Sequence, residues 1–134
     1  GVLGKVIAST SMIDYITQNA ELLETIGIFF PFILAAILKS AQGSSTVALT
    51  TTAGIVAPIL PVLGLDSPIR ATLAVMAIGA GAMTVSHAND SYFWVVTNFG
   101  AMTPEKGYKT QTMATLVLGL SGMLEIFILS LFLH

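Results

Sequence analysis

Ser86-His87-Ala88-Asn89-Asp90-Ser91 sets an imidazole and a carboxylate three residues apart, with amide and hydroxyl groups beside them, between two uncharged apolar stretches. A charged side chain at the centre of an apolar membrane span costs about 2.5–3.5 kcal/mol on insertion scales, so such a cluster needs a compensating partner, ion or substrate. His and Asp together suit the uptake and release of a proton near neutral pH, which makes His87 and Asp90 the candidates for proton coupling. Ser86 and Asn89 become candidates for substrate contact. The competing account is a hydrogen-bonded cluster that only pins a helix break.

A second polar run, Gln42-Gly43-Ser44-Ser45-Thr46, interrupts an earlier apolar region. Hydroxyls and exposed backbone N–H groups at the start of a half helix can hold a carboxylate without a full positive charge, so these five residues are the other substrate-binding candidates. The competing account is a turn whose Ser and Thr satisfy only their own backbone. Thr50, Thr51 and Thr52 are left outside the site, since Thr in a membrane helix commonly bonds its own backbone or packs at an interface. Glu125 divides between a proton relay and an interfacial acid, Arg70 is expected to snorkel to the surface, and Tyr92 and Trp94 to pack or sit at an interface.

The elements that must position these groups follow from composition. Of 134 residues, 54% are hydrophobic and 9% charged, far below the roughly 25% charge of an ordinary soluble domain. The expected fold is an all-α integral membrane protein in four parts. Residues 1–20 form an amphipathic or connecting helix, with Leu3 to Gln18 at helical spacing. Residues 21–65 form a re-entrant hairpin, because the apolar arm from Ile26 to Leu38 is shorter than the roughly 20 residues of a span and leads into the polar tip. Residues 68–102 form a broken helix opened by Asp66-Ser67-Pro68, with Gly79 and Gly81 allowing close packing. Residues 110–134 form the last span, packed through Gly119 and Gly122. Thr103 to Lys109 reads as an aqueous loop, placed on the cytoplasmic side by its lysines, with His134 outside. Polar breaks at similar depth in a hairpin and a broken helix build binding sites in inverted-repeat transporters, and their convergence is the central expectation.

A net charge of −2 with five Lys and Arg excludes a nucleic-acid partner, and the absence of cysteine removes disulfides and thiolate chemistry. No cofactor or metal is expected, and no enzyme: neither a His-Glu-x-x-His spacing nor a nucleophile elbow occurs. With no signal peptide visible at Gly1 to Thr10, the chain is expected to lie within a longer parent. The rivals to a transporter are a channel whose tip acts as filter, an intramembrane enzyme using His87 and Asp90, and a membrane-anchored structural subunit.

At Ala41-Gln42-Gly43-Ser44-Ser45-Thr46-Val47-Ala48 and at Ser86-His87-Ala88-Asn89-Asp90-Ser91-Tyr92-Phe93-Trp94-Val95-Val96, the chain resembles the gluconate permease family of bacterial proton symporters, within the wider ion-transporter superfamily. The resemblance runs from about Glu21 to the C-terminus and corresponds to the last part of such a transporter. It implies a multi-pass protein of the bacterial inner membrane that takes up gluconate or a related sugar acid with a proton. Transport of another small carboxylate is the alternative substrate reading. The partners implied are the sugar acid, the proton, the lipid bilayer and the N-terminal remainder of the transporter, and a homo-oligomer is compatible with this reading.

Overall fold

The computed structural model of the chain describes residues 27–133, so the amphipathic helix expected near Leu3 to Gln18, and His134, lie outside the described residues. These residues are helical, with no strand among them. Helix α1 (Phe29–Gln42) is joined through Gly43 and Ser44 to α2 (Ser45–Val56), which runs into a 3-10 turn at Ala57–Ile59. Helix α3 (Pro68–Met83) is followed by a helical gap and α4 (Ser91–Phe99). The short α5 (Pro104–Gly107), a π-helical turn (Tyr108–Thr112) and α6 (Met113–Phe132) form one continuous rod.

Local chemistry sets these boundaries. Gly43, at φ +84°, takes the left-handed conformation that ends α1, and its N–H bonds the Lys39 carbonyl at 2.8 Å. Ser44 then caps α2, its Oγ accepting from the Val47 N–H at 3.3 Å. Pro58, which has no N–H to give, falls in the 3-10 turn beyond α2. Ser67 caps α3 ahead of Pro68, as Asp66-Ser67-Pro68 implied. Arg70, rather than simply reaching for the surface, donates to the Gly64 carbonyl at 3.1 Å in the turn before α3.

Helix α3 is the hub, packing against α1, α2 and α6. Small residues make this possible. A Cβ on Gly81 would overlap the Phe32 carbonyl of α1 and approach Ala35 Cβ to 2.9 Å, and one on Gly119 of α6 would overlap the Thr84 hydroxyl. A Cβ on Gly122 would make only ordinary contact with Ala80, and Gly79 and Gly122 both line an apolar groove between α3 and α6 that also holds Glu125. Around these contacts Ala74, Ala77, Ile78, Ala82, Met123 and Ile126 are buried.

Two boundaries differ from expectation. Thr103 to Lys109 is helical rather than a loop: Thr103 Oγ1 accepts from the Lys106 N–H at 3.3 Å and Pro104 occupies the first turn, the same start grammar as Ser67-Pro68. Its charges are exposed, and Lys109 pairs with Glu105 one turn away at 2.7 Å. Of the polar run at 42–46, Gln42 belongs to α1 and Ser45 and Thr46 to α2, so the tip between the arms is only Gly43 and Ser44.

Of the described helices, one is long and apolar enough to cross a membrane, Pro104–Phe132 with 29 residues. At 1.5 Å per residue it is about 43 Å long, against a hydrocarbon core of about 30 Å. Val117, Leu120, Leu124, Ile128 and Leu131 are exposed along it, an apolar surface that water would not tolerate but lipid or neighbouring helices would cover. The apolar helices Phe29–Gln42, Ser45–Ile59 and Pro68–Met83 are each shorter than a span.

Candidate functional site

The gap between α3 and α4 removes the intrahelical partners of a partly buried stretch of backbone, and those groups must be satisfied from elsewhere. Helix α6 and the turn before it supply them. Thr112 Oγ1 donates to the Ser86 carbonyl at 2.6 Å, and the Ser86 N–H donates to Thr115 Oγ1 at 2.9 Å. The Asp90 N–H closes on the His87 carbonyl at 2.8 Å, and Asp90 caps α4 through the Tyr92 N–H at 3.0 Å. Val85, a β-branched residue at φ +55°, absorbs the change of direction, a conformation that costs of order 1–3 kcal/mol and persists only when its surroundings enforce it. Replacing either Thr112 or Thr115 by Val keeps the shape and strands one Ser86 backbone group. Each is expected to cost about 1–3 kcal/mol, with the Thr112→Val/Thr115→Val pair worse than either, as thermal unfolding of the detergent-solubilised parent would measure. Unchanged melting of both would rule out this role.

The tip of the α1–α2 pair docks onto the same gap. Asn89 Nδ2 donates to the Ser40 carbonyl at 2.7 Å, and His87 Nε2 lies 3.1 Å from that same oxygen. Gly43 sits so close that a Cβ there would overlap the Asn89 carbonyl. The two interrupted segments are therefore in direct contact, as their polar sequences led one to expect.

At the centre of this contact is a residue the sequence reading passed over. Lys39, on the last turn of α1, is 1% exposed and its ammonium donates to Asp90 Oδ2 at 2.6 Å and to the Gly43 carbonyl at 2.5 Å. Ser86 Oγ donates to the same Asp90 oxygen at 2.6 Å. Asp90 is 5% exposed, so both charges are out of water and each satisfies the other. Such a pair is not evidence of stability, since its desolvation cost rivals its attraction, but the loss of one member leaves a buried unpaired charge. Beside the pair lies a cavity of about 220 Å³ bordered by Lys39, Ser45, Ser86, Asp90, Tyr92 and Thr115, among others. Met83 and Leu118 complete its lining, so a cation, a carboxylate and several hydroxyls border one open, largely apolar pocket.

The expected site residues sort accordingly. Ser45, Ser86 and Asp90 face this cavity. Gly43 and Ser44 shape the tip, and the Gln42 side chain brackets it, donating to the Ser44 carbonyl at 2.6 Å and accepting from the Ser44 N–H at 3.0 Å. Thr46 is exposed, with its carbonyl accepting from Thr50 Oγ1 at 2.9 Å. His87 and Asn89 turn toward Ser40, stapling break to tip. Trp94 also holds the break, its Nε1–H donating to the Ala88 carbonyl at 2.8 Å. Lys39, Thr112 and Thr115 are the additions. Lys39 could have been found by noticing that a lysine directly before a polar membrane tip has an unpaired acid, Asp90, to meet at the other interruption.

Residues 1–132 match the family described as GntP family permease. The chain is 35% identical to the inner membrane permease YgbN of Escherichia coli K12 over 92% of its own length and 27% of that protein's. It is 36% identical to a gluconate permease of Pseudomonas aeruginosa PAO1 over 90% of its length and 25% of the relative's, and 30% identical to a gluconate permease of Bacillus subtilis 168 over 98% and 28%. The chain thus spans about a quarter of the length of the curated relatives it matches. No solved structure matches it. With a family match over nearly the whole chain, and relatives 30–36% identical over 90% or more of it, the chain belongs to the GntP permease family.

Proposed function

We propose that this chain forms the C-terminal part of a secondary transporter that carries gluconate or a related sugar acid into the bacterial cell together with a proton. The observation that carries the reading is the docking of the α1–α2 tip onto the α3–α4 gap around the buried Lys39–Asp90 pair. In this reading α1 and α2 are the arms of a re-entrant hairpin within residues 21–65, α3 and α4 are the halves of one broken span within 68–102, and 110–134 is the last span. Lengths support it: α1 and α2, of 14 and 12 residues, cover only about 21 and 18 Å at 1.5 Å per residue. The remaining helices of the parent complete the site, and self-association is a further assembly it permits.

Substrate oxygens would meet hydroxyls at Ser45 and Ser86, with Gln42, Gly43, Ser44, Thr46 and Asn89 setting the geometry of the two interruptions. Asp90 or His87 would take the coupling proton. Coupling requires that the protonated site bind the anion better than the deprotonated one, since a ligand shifts an equilibrium only by its differential affinity. The names of relatives, gluconate permease above all, support the substrate class.

The test is uptake of labelled gluconate by vesicles containing the full-length parent. Accumulation driven by an imposed inward proton gradient, saturating with gluconate and lost when the gradient is collapsed, is the expected result. Non-saturating flux would instead indicate a pore, and no uptake by folded protein would sink the sugar-acid reading.

A further inference from the structure

We propose that Lys39 is the residue that binds the carboxylate of the substrate, and that Asp90 holds it in reserve until a proton frees it. This rests on the transporter reading above and adds to it the site's cation and the way the two cargoes are linked.

Lys39 is the cation bordering the cavity, in a chain with only five Lys and Arg. An ammonium has three protons to donate. Two are engaged, by Asp90 and by the Gly43 carbonyl, and the third has no partner among the described residues. The cavity volume of about 220 Å³ exceeds the roughly 150 Å³ that suffices for benzene, so a small organic acid can lie beside the pair. An anion entering next to the intact pair would bring a second carboxylate into competition with Asp90 for one cation. Two carboxylates sharing one site cannot both stay ionised at low cost. Protonation of Asp90 removes that conflict.

The proton balance is simple. One proton from the outer side adds to an Asp90 carboxylate oxygen, giving a neutral acid. Ser86 Oγ, which donates to Asp90 Oδ2 in this structure, can then accept from the new O–H, and its own hydrogen turns to the substrate. The Lys39 charge passes from Asp90 to the incoming carboxylate, and no covalent bond other than the O–H changes. On the inner side the anion leaves, Asp90 gives up its proton, and the pair re-forms. One proton accompanies one carboxylate, so with both cargoes bound or neither bound no buried charge is left unpaired, which is the costly state.

The groups facing Asp90 are consistent with this assignment. From α1 comes Lys39, from the break Ser86, from α4 the Tyr92 backbone N–H, and bordering the same cavity from α6 the uncharged Thr115. His87 is directed at the Ser40 carbonyl, and Glu125 lies in the separate groove between α3 and α6.

The experiment uses the full-length parent in proteoliposomes, with labelled gluconate and two assays: accumulation driven by a pH gradient, and exchange of internal for external gluconate without a gradient. Wild type is expected to do both. Asp90→Asn, which carries a permanent neutral analogue of the protonated acid, should keep exchange and lose gradient-driven accumulation. Lys39→Gln should lose both. The double variant Lys39→Gln/Asp90→Asn buries no charge and so keeps its fold, and it too should lose exchange. In detergent, gluconate should raise the melting temperature of Asp90→Asn more than that of wild type, because the anion takes the place beside Lys39, and should leave the double variant unmoved. Exchange by the double variant at the Asp90→Asn level would overturn the proposal, reducing Lys39 to a structural partner. Exchange by Lys39→Gln would do the same. A wild type that transports no gluconate overturns the sugar-acid reading itself, and the inference with it.

Discussion

Lys39→Met is expected to destabilise the parent transporter by about 3–5 kcal/mol, because it leaves the Asp90 carboxylate buried without its cation. Two further costs accompany the loss of the ammonium. The Gly43 carbonyl loses its donor at the very point where α1 ends, and the long-range link between α1 and the gap, 51 residues apart in sequence, is cut. Adding Asp90→Asn to this variant removes the orphaned charge while keeping an oxygen to accept from the Tyr92 N–H. The double variant Lys39→Met/Asp90→Asn should therefore recover most of the loss, a non-additivity diagnostic of direct coupling. Thermal unfolding in detergent, compared across the two single variants and the double, measures it. Additive losses would show that the two side chains act independently and that the pair does not organise the site.

Gly43→Ala is the second large effect. Its φ of +84° disfavours any L side chain by about 1–2 kcal/mol, and a methyl group there would occupy the space of the Asn89 carbonyl. Backbone on both sides makes the overlap hard to relieve by a side-chain rotation, so the tip must back away from the gap. The contacts stretched by that movement are the two to the Ser40 carbonyl, from His87 and Asn89, and the Lys39–Asp90 pair. The expected outcome is a protein that retains its helices by circular dichroism but loses transport at least tenfold, with faster amide exchange at Asn89 and Asp90. Wild-type transport by a well-expressed Gly43→Ala would mean that the close approach is not needed in the working cycle.

The two interruptions were legible because short-range chemistry announces them. A run of Gly, Ser and Thr at 43–46, and the His, Asn and Asp within 87–90, cannot continue an apolar helix without a reason, and the structure puts both at helix ends in contact with one another. Capping was equally legible at Ser67-Pro68. The same grammar at Thr103-Pro104 was obscured by the neighbouring Glu105, Lys106 and Lys109, whose charge suggested a loop when they merely face outward from the first turns of a long helix. Lys39 was hidden for a different reason. At the end of an apolar segment a lysine looks like an interfacial flank, and only a partner far away in sequence reveals it as buried. Thr112 and Thr115 were invisible on the same principle: the backbone they satisfy belongs to another element, and no local pattern marks a hydroxyl as a substitute for a missing helix bond.

The fastening of Ser86 to Thr112 and Thr115 bears on how the molecule can move. Bonds that are weak in water become hard to break where nothing can replace them, and here they rivet the gap to the rod while His87, Asn89 and Lys39 or its partner rivet the tip to the gap. Sliding any one of the three past the others would sever several such bonds at once, the buried Lys39–Asp90 contact among them. The inexpensive displacement is a block motion in which tip, gap and rod travel together.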